Sequence, residues 1–442
     1  MKRQTYPIVA IVGRPNVGKS TLFNRIAGRR KANVHDVSGL TRDRNYALTE
    51  WNGKNFLLVD TGGYELMDAD LISSSIREQV LMAVEEADSI IFVTDVHATN
   101  HPGDREILTM LRRADKPFFL SVNKCDHDSL QNQAYDFSSL GVDSLFPISA
   151  EHGLEIGSLL DAVTESMPEI VGESADPGGE VRVAICGRQN VGKSTLLNKI
   201  LGRERVIAGP VAGTTRDAVD VPYTLGERRY LLIDTAGIRR RGKVEKGTES
   251  LSVMSSIMSI QRSDVAILLL DASSGVTAQD THIGGYIQDS GRAVILAVNK
   301  WDMLEKDTST AGAFAKKMRQ EFNFLSFAPI VFISARTGQR VRNLFTMIDE
   351  VMSQYTRRFE TSSLNDALAA ILRHHQPAFH KGGQLKIKYI TQTGIAPPTF
   401  TLFVNNPRYM HFSYRRYLQN QLRLHFGLSK CPVRLKLRKK SG

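Results

Sequence analysis

The chain of 442 residues is long enough for two to four domains, and its 42% hydrophobic and 23% charged residues exclude wholesale disorder. Its three scattered cysteines fit neither a disulfide framework nor a zinc site, and its longest apolar runs, such as residues 265–270, are too short to span a membrane. A soluble, cytoplasmic protein is therefore expected, and the formal net charge of +11 favours a polyanionic partner.

Residues 1–168 alternate short apolar runs with helical stretches, which is typical of βαβ units around a mostly parallel sheet with helices on both faces. Four motifs directly follow four of these runs: GRPNVGKS after 8–12, DTGG after 56–59, NKCD after 118–122 and SA after 145–148. All four therefore lie at the carboxyl ends of predicted strands, where open α/β sheets bind ligands.

The same motifs recur in the same order in residues 181–355. Residues 13–26 and 187–200 are identical at 11 of 14 positions, and their offset of 174 residues also relates the later TRD and DTG/DTA motifs. The sequence therefore predicts two tandem copies of one P-loop G domain. An acidic, glycine-containing linker at 169–180 joins them.

Each glycine-rich loop is a P-loop whose backbone N–H groups can close around phosphates at a helix N-terminus. Its lysine is expected to reach the β- and γ-phosphates, while a hydroxyl, a strand-end carboxylate and a loop threonine hold Mg²⁺. The predicted Mg²⁺ ligands are Ser20, Thr41, Asp60, Ser194, Thr215 and Asp234. The predicted catalytic residues are Lys19, Asn16, Thr41, Gly62, Lys193, Asn190, Thr215 and Gly237.

The NKCD and NKWD motifs decide which base is bound. The carboxylates of Asp126 and Asp302 can accept hydrogen bonds from the N1–H and the exocyclic amine of guanine, whereas adenine would leave a charged group unpaired. Each domain is therefore expected to bind GTP or GDP and not ATP.

The nucleotide-binding positions are predicted from the motifs of both copies. In the first copy they are Gly13, Arg14, Pro15, Asn16, Val17, Gly18, Lys19, Ser20, Asp60, Thr61, Gly62, Gly63, Tyr64, Asn123, Lys124, Cys125, Asp126, Ser149 and Ala150. In the second copy they are Gly187, Arg188, Gln189, Asn190, Val191, Gly192, Lys193, Ser194, Asp234, Thr235, Ala236, Gly237, Ile238, Asn299, Lys300, Trp301, Asp302, Ser334 and Ala335.

Neither copy carries the glutamine that small regulatory GTPases place after DxxG to orient water; Tyr64 and Ile238 stand there instead. One hypothesis is that both domains are inactive switches. The other is that Asn16 and Asn190, in the P-loops, hold a monovalent cation that neutralises charge where an arginine finger would otherwise act.

The basic surplus lies in residues 356–442, which carry 16 lysines and arginines but only two acidic residues, a net +14 that leaves −3 for residues 1–355. The pattern predicts a helix at 364–375 with a Ser363–Asp366 capping box, strands at 385–389 and 399–404, a helix at 414–426 and a strand at 433–438. A small α+β domain with a cationic sheet face favours RNA binding through phosphates. Four aromatic residues are expected to fill its core or an interface in preference to stacking on bases, which is the less favoured alternative: Tyr409, Phe412, Tyr414 and Tyr417.

These motifs, PNVGKS, QNVGKS, TRDR, DTGG, NKCD, GTTRD, DTAGIRRRGKV and NKWD, followed by a short basic tail, resemble the bacterial tandem-G-domain GTPases of the Der (EngA) family over essentially the whole chain. The resemblance implies a GTPase acting in assembly of the large (50S) ribosomal subunit, with nucleotide state controlling its association with rRNA. It also implies K⁺-stimulated hydrolysis through Asn16 and Asn190 and a KH-like domain at 356–442 that contacts rRNA. A monomer is expected.

Two other functions compete with this interpretation. A non-catalytic, GTP-sensing RNA-binding scaffold would bind nucleotide without turnover. A tRNA-modifying GTPase would need a catalytic cysteine or a cofactor site outside the G domains, and none of Cys125, Cys186 and Cys431 has such a setting.

Overall fold

A computed structural model describes residues 2–3, 6–28, 46–61, 80–81, 83–84, 87–99, 101–142, 144–167, 173–174, 180–202, 220–233, 249–304, 310–380 and 382–439. Contacts divide the chain into two units, residues 2–172 and 173–442.

The first unit is built on a six-stranded sheet whose strands run, in spatial order, Tyr46–Trp51, Lys54–Asp60, Ile8–Val12, Ser89–Asp95, Phe118–Asn123 and Leu145–Pro147. Only the first pair is antiparallel. That pair turns at Asn52 and Gly53, both with positive φ, as a two-residue hairpin turn requires. Every residue of the Ile8–Val12 strand is buried, as expected of a parallel strand covered on both faces.

Helices of the first unit cover this sheet. They are Lys19–Gly28, Pro102–Arg113, Asp128–Ala134 and Ile156–Glu165, and a 3₁₀ helix spans Tyr135–Leu140. Leu22, Phe23 and Ile26 of the first helix pack in one core with Leu159 and Val163 of the last, so apolar positions three or four residues apart fix which helix faces the sheet.

The second unit repeats this sheet, in the order Val221–Leu225, Arg228–Ile233, Val181–Cys186, Val265–Asp271, Ala293–Asn299 and Ile330–Phe332, again with one antiparallel pair at the edge. Its helices are Lys193–Leu201, Glu249–Arg262, Ala278–Ser290, Thr310–Glu321 and Val341–Tyr355. Two 3₁₀ helices span Trp301–Met303 and Asn323–Leu325.

The C-terminal part of the second unit has the predicted helix–strand–strand–helix–strand order. Helices Thr361–His374 and Phe412–Phe426 and a 3₁₀ helix at Pro407–Tyr409 accompany a three-stranded sheet of Ile387–Gly394, Thr399–Val404 and Arg434–Lys439, and a separate hairpin pairs Phe379–His380 with Gly383–Gln384. The first helix begins at Thr361 with Glu360 as N-cap. The predicted Ser363–Asp366 capping box is therefore wrong, because both residues lie inside the helix.

One hydrophobic core runs through the second sheet and this C-terminal part. Val183 and Ile348 belong to the same buried cluster as Leu364, Phe400 and Leu418. The predicted fold class is confirmed: two mostly parallel α/β sheets are followed by a small α+β domain. The domain boundaries at 168, 181 and 356 stay predictions. Among the described residues, no helix has the length and apolar character needed to cross a bilayer.

Candidate functional site

Strand register brings the four motifs to one edge of each sheet. In the first unit Ile11 lies beside Asp60, and Asp95 beside Asn123, so the P-loop, DTG and NKCD segments leave the sheet together. In the second unit Asp271 pairs with Asn299 in the same way. This carboxyl edge of the sheet is the place where this architecture binds ligands.

The P-loop glycines are required by close approach of other groups. A side chain on Gly13 would overlap the carbonyl of Val93, and one on Gly18 would overlap the Asn123 amide. Gly187 and Gly192 occupy the equivalent positions in the second unit, against Leu269 and Asn299. Each loop can therefore keep its backbone close to the sheet and turn its N–H groups outward.

Asn16 and Asn190 occupy the same unusual conformation, with φ of 63° and 61°. Both are exposed at the mouth of their P-loops. Asparagine tolerates this left-handed region better than most residues, so backbone geometry alone already favours it there. The two copies therefore agree in backbone shape at the residue predicted to hold a cation.

The asparagine of each NKxD motif connects two loops. The Asn123 amide donates to the carbonyl of Val17 at 2.8 Å, and its oxygen accepts from the N–H of Ala150 at 2.9 Å. Asn299 makes the same pair of bonds to Val191 and Ala335, at 2.7 and 2.8 Å. The structure shows these side chains fastening the P-loop to the SA loop, a role that sequence reasoning did not assign, and their contact with the nucleotide stays a prediction.

The P-loop lysines fold back over their own loops. Lys19 Nζ donates to the carbonyl of Arg14 at 2.5 Å, and Lys193 Nζ donates to the carbonyls of Gly187 and Arg188 at 2.6 Å each. The ammonium groups thus lie within the ring of backbone that would surround an anionic ligand. Electrostatics there favours phosphate binding.

Two of the predicted magnesium ligands of the first unit are in contact. The Ser20 hydroxyl donates to Asp60 Oδ2 at 2.7 Å, although they are 40 residues apart in the chain. Asp60 is buried at the end of its strand. Hydroxyl and carboxylate oxygens placed side by side suit Mg²⁺, which binds hard oxygen donors.

An arginine in each P-loop is held by a buried aspartate that sequence reasoning missed. Arg14 Nε donates to Asp104 Oδ1 at 2.7 Å, and Arg188 Nε lies 3.4 Å from Asp280 Oδ2. Burial raises the pKa of both aspartates, and the arginine beside each opposes that rise. Because these guanidinium groups are engaged behind the loops, they are poorly placed to act as arginine fingers.

A second missed pair holds the NKxD loops. Lys124 Nζ bonds Asp95 at 2.6 Å, and Lys300 Nζ bonds Asp271 at 2.6 Å. Burial raises the pKa of Asp271, but hydrogen bonds from Lys300 and Ser273 outweigh burial and leave that pKa below its usual value. An aspartate that ends each of these strands, at the same place in both copies, was the available sequence signal.

The aspartates of the NKxD motifs, which are predicted to recognise the base, receive hydrogen bonds from their SA loops. The Ser149 hydroxyl donates to Asp126 Oδ1 at 2.6 Å. In the second unit, a hydrogen bond from Ser334 and the nearby Arg336 guanidinium, 2.8 Å from Asp302 Oδ2, lower the pKa of Asp302. Asp302 therefore stays ionised, which is the form that accepts from guanine.

This pKa shift predicts the pH dependence of the second site. Because the pKa of Asp302 is lowered, its carboxylate persists to a lower pH than an ordinary aspartate, and GDP affinity should stay flat down to a lower pH than an ordinary aspartate pKa of about 3.9 would allow. Ser334→Ala removes the largest cause, so affinity should begin to fall at higher pH. Fluorescent-GDP titrations in an Asp126→Asn background would measure this, and identical pH profiles with and without Ser334 would contradict it.

Most of the remaining predicted positions are buried or undescribed, but Pro15 is exposed and Thr61, Gln189 and Ser194 are half-buried. The side chains of Val17, Val191, Cys125 and Trp301 are buried and contribute to packing; the Trp301 ring lies 4.2 Å from that of Phe332. The Thr61 hydroxyl donates to the carbonyl of Ile11. Outside the described residues lie Thr41, Gly62, Gly63, Tyr64, Thr215, Asp234, Thr235, Ala236, Gly237 and Ile238.

Each of the two sheets carries a P-loop and an NKxD aspartate at the position predicted to bind guanine. Together they define a GTPase with tandem G domains. A family model described as "50S ribosome-binding GTPase" matches residues 8–124 and 182–300, and one described as the C-terminal KH-domain-like region of EngA bacterial GTPase enzymes matches residues 358–438. The fold class and the matching family models therefore both indicate a GTPase with tandem G domains.

Curated relatives cover nearly the whole chain. GTPase Der of Geotalea uraniireducens is 49% identical over 430 residues, 97% of both chains. GTPase Der of Trichlorobacter lovleyi is 50% identical over 432 residues, 98% of this chain and 96% of that one. GTPase Der of Listeria monocytogenes is 46% identical over 434 residues, 98% and 99%.

The chain therefore belongs to the GTPase Der family, and the predicted resemblance is confirmed. It is a GTP-binding enzyme of the GTPase class with two G domains.

Proposed function

We propose that this GTPase acts in assembly of the large ribosomal subunit, and that its nucleotide state controls association with rRNA through residues 356–442. The proposal rests on the exposed cationic side chains of the C-terminal sheet. They form a phosphate-binding surface in the same unit as a nucleotide site. The family description "50S ribosome-binding GTPase" supports the choice of subunit.

Some of the C-terminal cations are committed to packing and do not belong to this surface. Arg423 lies over the Phe327 ring at 4.7 Å, and burial lowers its pKa. Arg434 Nη2 donates to the carbonyl of Asp289 at 3.1 Å. Lys430 pairs with Glu350. These three side chains fasten the C-terminal domain to the second G domain.

Lys436 and Arg438 form the exposed part of the surface, on the strand Arg434–Lys439. They alternate with Leu435 and Leu437, which pack in or against the core, so both cations face away from it. They pair in register with Thr401 and Phe403. Lys386 and Lys388, near the opposite edge strand, are also exposed. The surface suits backbone phosphates.

A matched pair of charge variants tests the RNA surface. Lys436→Gln with Arg438→Gln should lower rRNA affinity about tenfold and reduce the slope of log affinity against log salt by about 2, because each phosphate contact releases about one counterion. Lys316→Gln with Lys317→Gln removes the same charge from exposed positions of the helix Thr310–Glu321 in the second G domain and should change affinity less than about twofold. Equal effects of the two pairs in filter binding would contradict the proposal.

In the nucleotide sites, we assign phosphate binding to the P-loop N–H groups with Lys19 and Lys193, and guanine recognition to Asp126 and Asp302. Ser20 and Asp60 would hold Mg²⁺ in the first site, where their oxygens fit that ion. Mg²⁺ supplies charge neutralisation of the β- and γ-phosphates when bound. The P-loops position the phosphates, and the carboxylates fix the base.

We further propose that the Asn16 and Asn190 amide oxygens hold K⁺, for which carbonyl-type oxygens are suitable ligands. Steady-state GTP turnover by the full chain should then rise at least about tenfold when Na⁺ is replaced by K⁺. Asn16→Gly and Asn190→Gly keep the left-handed backbone accessible but remove the amide. These variants should lose the K⁺ dependence of the altered site. Equal rates in both salts for the unaltered chain would exclude the cation role.

The tRNA-modifying alternative lacks a reactive thiol. All three cysteines are buried, and burial raises the pKa of Cys125 to about 11 and of Cys186 and Cys431 to about 12 each. A nucleophilic cysteine needs a lowered pKa and access to substrate. The structure therefore favours GTP hydrolysis as the chemistry of this chain.

A further inference from the structure

A cavity of about 660 Å³ opens in the C-terminal domain, where the end of helix Thr361–His374 and the start of helix Phe412–Phe426 approach the small Phe379–Gln384 hairpin. We propose that this cavity binds an unpaired nucleobase of an RNA strand. The inference rests on the proposed RNA-binding function and adds a base-stacking site to its phosphate-binding surface.

Flat rings with polar edges dominate the cavity wall. Its lining includes His374, His375, His380, His411, Tyr409 and Tyr417, so four of the eleven histidines of the chain face one space. Such rings can stack on any base while their nitrogen and hydroxyl groups approach its edges. The volume is in the range of sites for ligands of nucleotide size.

The wall is held in place by contacts within the domain. The Tyr414 hydroxyl donates to the carbonyl of His375 at 2.7 Å, and burial raises the pKa of Tyr414 to about 12, so it remains a neutral donor. The His375 ring lies 5.1 Å from that of Tyr417. At Gly383 a side chain would overlap the Tyr409 ring, so the hairpin packs directly against that ring. The cavity is therefore largely preformed.

Two phenylalanines expose their rings at this place. Phe379, which lines the cavity, is 73% exposed, and Phe412, whose ring lies 4.5 Å from that of His411, is 50% exposed. Large exposed aromatic rings clustered around a cavity are uncommon on a monomer surface and mark interaction sites. A stacked base would cover them.

Charge around the cavity favours a base that belongs to a nucleic-acid strand. No acidic side chain of the described residues lines it, so it offers no carboxylate to a cationic ligand. Among the described residues no cluster suited to a metal ion occurs, although four imidazoles line the space. Arg373 and Arg408 are exposed and each directly adjoins a lining residue in the chain, so positive charge lies near the cavity for the phosphates of a bound strand.

The test compares two RNAs with equal numbers of phosphates, a hairpin with an unpaired loop and a fully paired duplex, on the full-length protein. His375→Ala with Phe379→Ala should weaken hairpin binding about tenfold, the effect of losing one stacked base, and leave duplex binding within about twofold. The matched control, His127→Ala with Tyr135→Ala, removes an exposed histidine and an exposed tyrosine from the first unit and should change neither.

The outcomes separate the two proposals. Unchanged hairpin affinity, or equal losses for both RNAs, would overturn the base site while the phosphate surface stands. No binding of either RNA by the unaltered protein would overturn both. Competition by millimolar AMP against the hairpin would assign the cavity to free nucleotides and overturn the strand assignment. If the double variant lowers the unfolding midpoint, Phe379→Leu, which keeps the apolar volume but loses the ring, should show the same selective loss.

Discussion

Replacing Asp126 and Asp302 together by asparagine is expected to lower GTP affinity at least about a thousandfold and to create affinity for xanthosine triphosphate. Each carboxylate is proposed to accept from the N1–H and the amine of guanine. An asparagine amide would turn a donor toward that amine and leave groups unpaired. Xanthine carries a carbonyl in place of the amine, so the same amide would then donate to it.

Single variants make this prediction specific. Asp126→Asn should affect only the first site and Asp302→Asn only the second, which titrations with fluorescent GTP and XTP analogues would resolve as the loss of one of two binding phases. The exposed Asp128→Asn, two residues beyond the first motif, is the matched control and should change neither. Undiminished GTP binding by the double variant would contradict the assignment of both carboxylates.

Asn123→Ala should lower the nucleotide affinity of the first site about a hundredfold and leave that of the second site unchanged. The side chain is buried and joins the carbonyl of Val17 to the N–H of Ala150. Removing it leaves two backbone groups unsatisfied, at about 1–3 kcal/mol each, and frees the P-loop from the SA loop. Calorimetric titration with GDP would measure the loss.

Asn299→Ala is the equivalent experiment for the second site, because Asn299 makes the same hydrogen bonds in the second unit. The exposed Asn132→Ala, on a helix of the first unit, is the control for losing an asparagine. Equal nucleotide affinity in Asn123→Ala and the unaltered chain would show that the bridge does not shape the site.

The repeated motifs were sufficient to predict the sheets and the edge where the sites lie, because each motif directly follows an apolar run. Roles within a motif were harder to infer. Asn123 belongs to the same NKCD motif as Asp126, yet its contacts are with Val17 and Ala150. Arg14 and Asp104 are 90 residues apart in the chain, and no local sequence pattern predicts their contact.

In the C-terminal domain, the sequence likewise predicted the overall charge but not the role of each charged residue. Its net +14 correctly pointed to a cationic domain, and the predicted order of elements is confirmed. Counting charges could not separate Arg423 and Arg434, which bond the second G domain, from Lys436 and Arg438, which remain exposed. That distinction depends on tertiary packing. The cavity also depends on it, because its four histidines come from the ends of two helices and from a hairpin.

Sedimentation of the full chain with large ribosomal subunits tests whether this GTPase associates with them under nucleotide control. If nucleotide state controls association, the fraction that sediments with the subunit should differ at least about fivefold between GDP and a non-hydrolysable GTP analogue. The difference should vanish when Asp126 and Asp302 are both replaced by asparagine. Absence of large-subunit association in every nucleotide state would contradict the account.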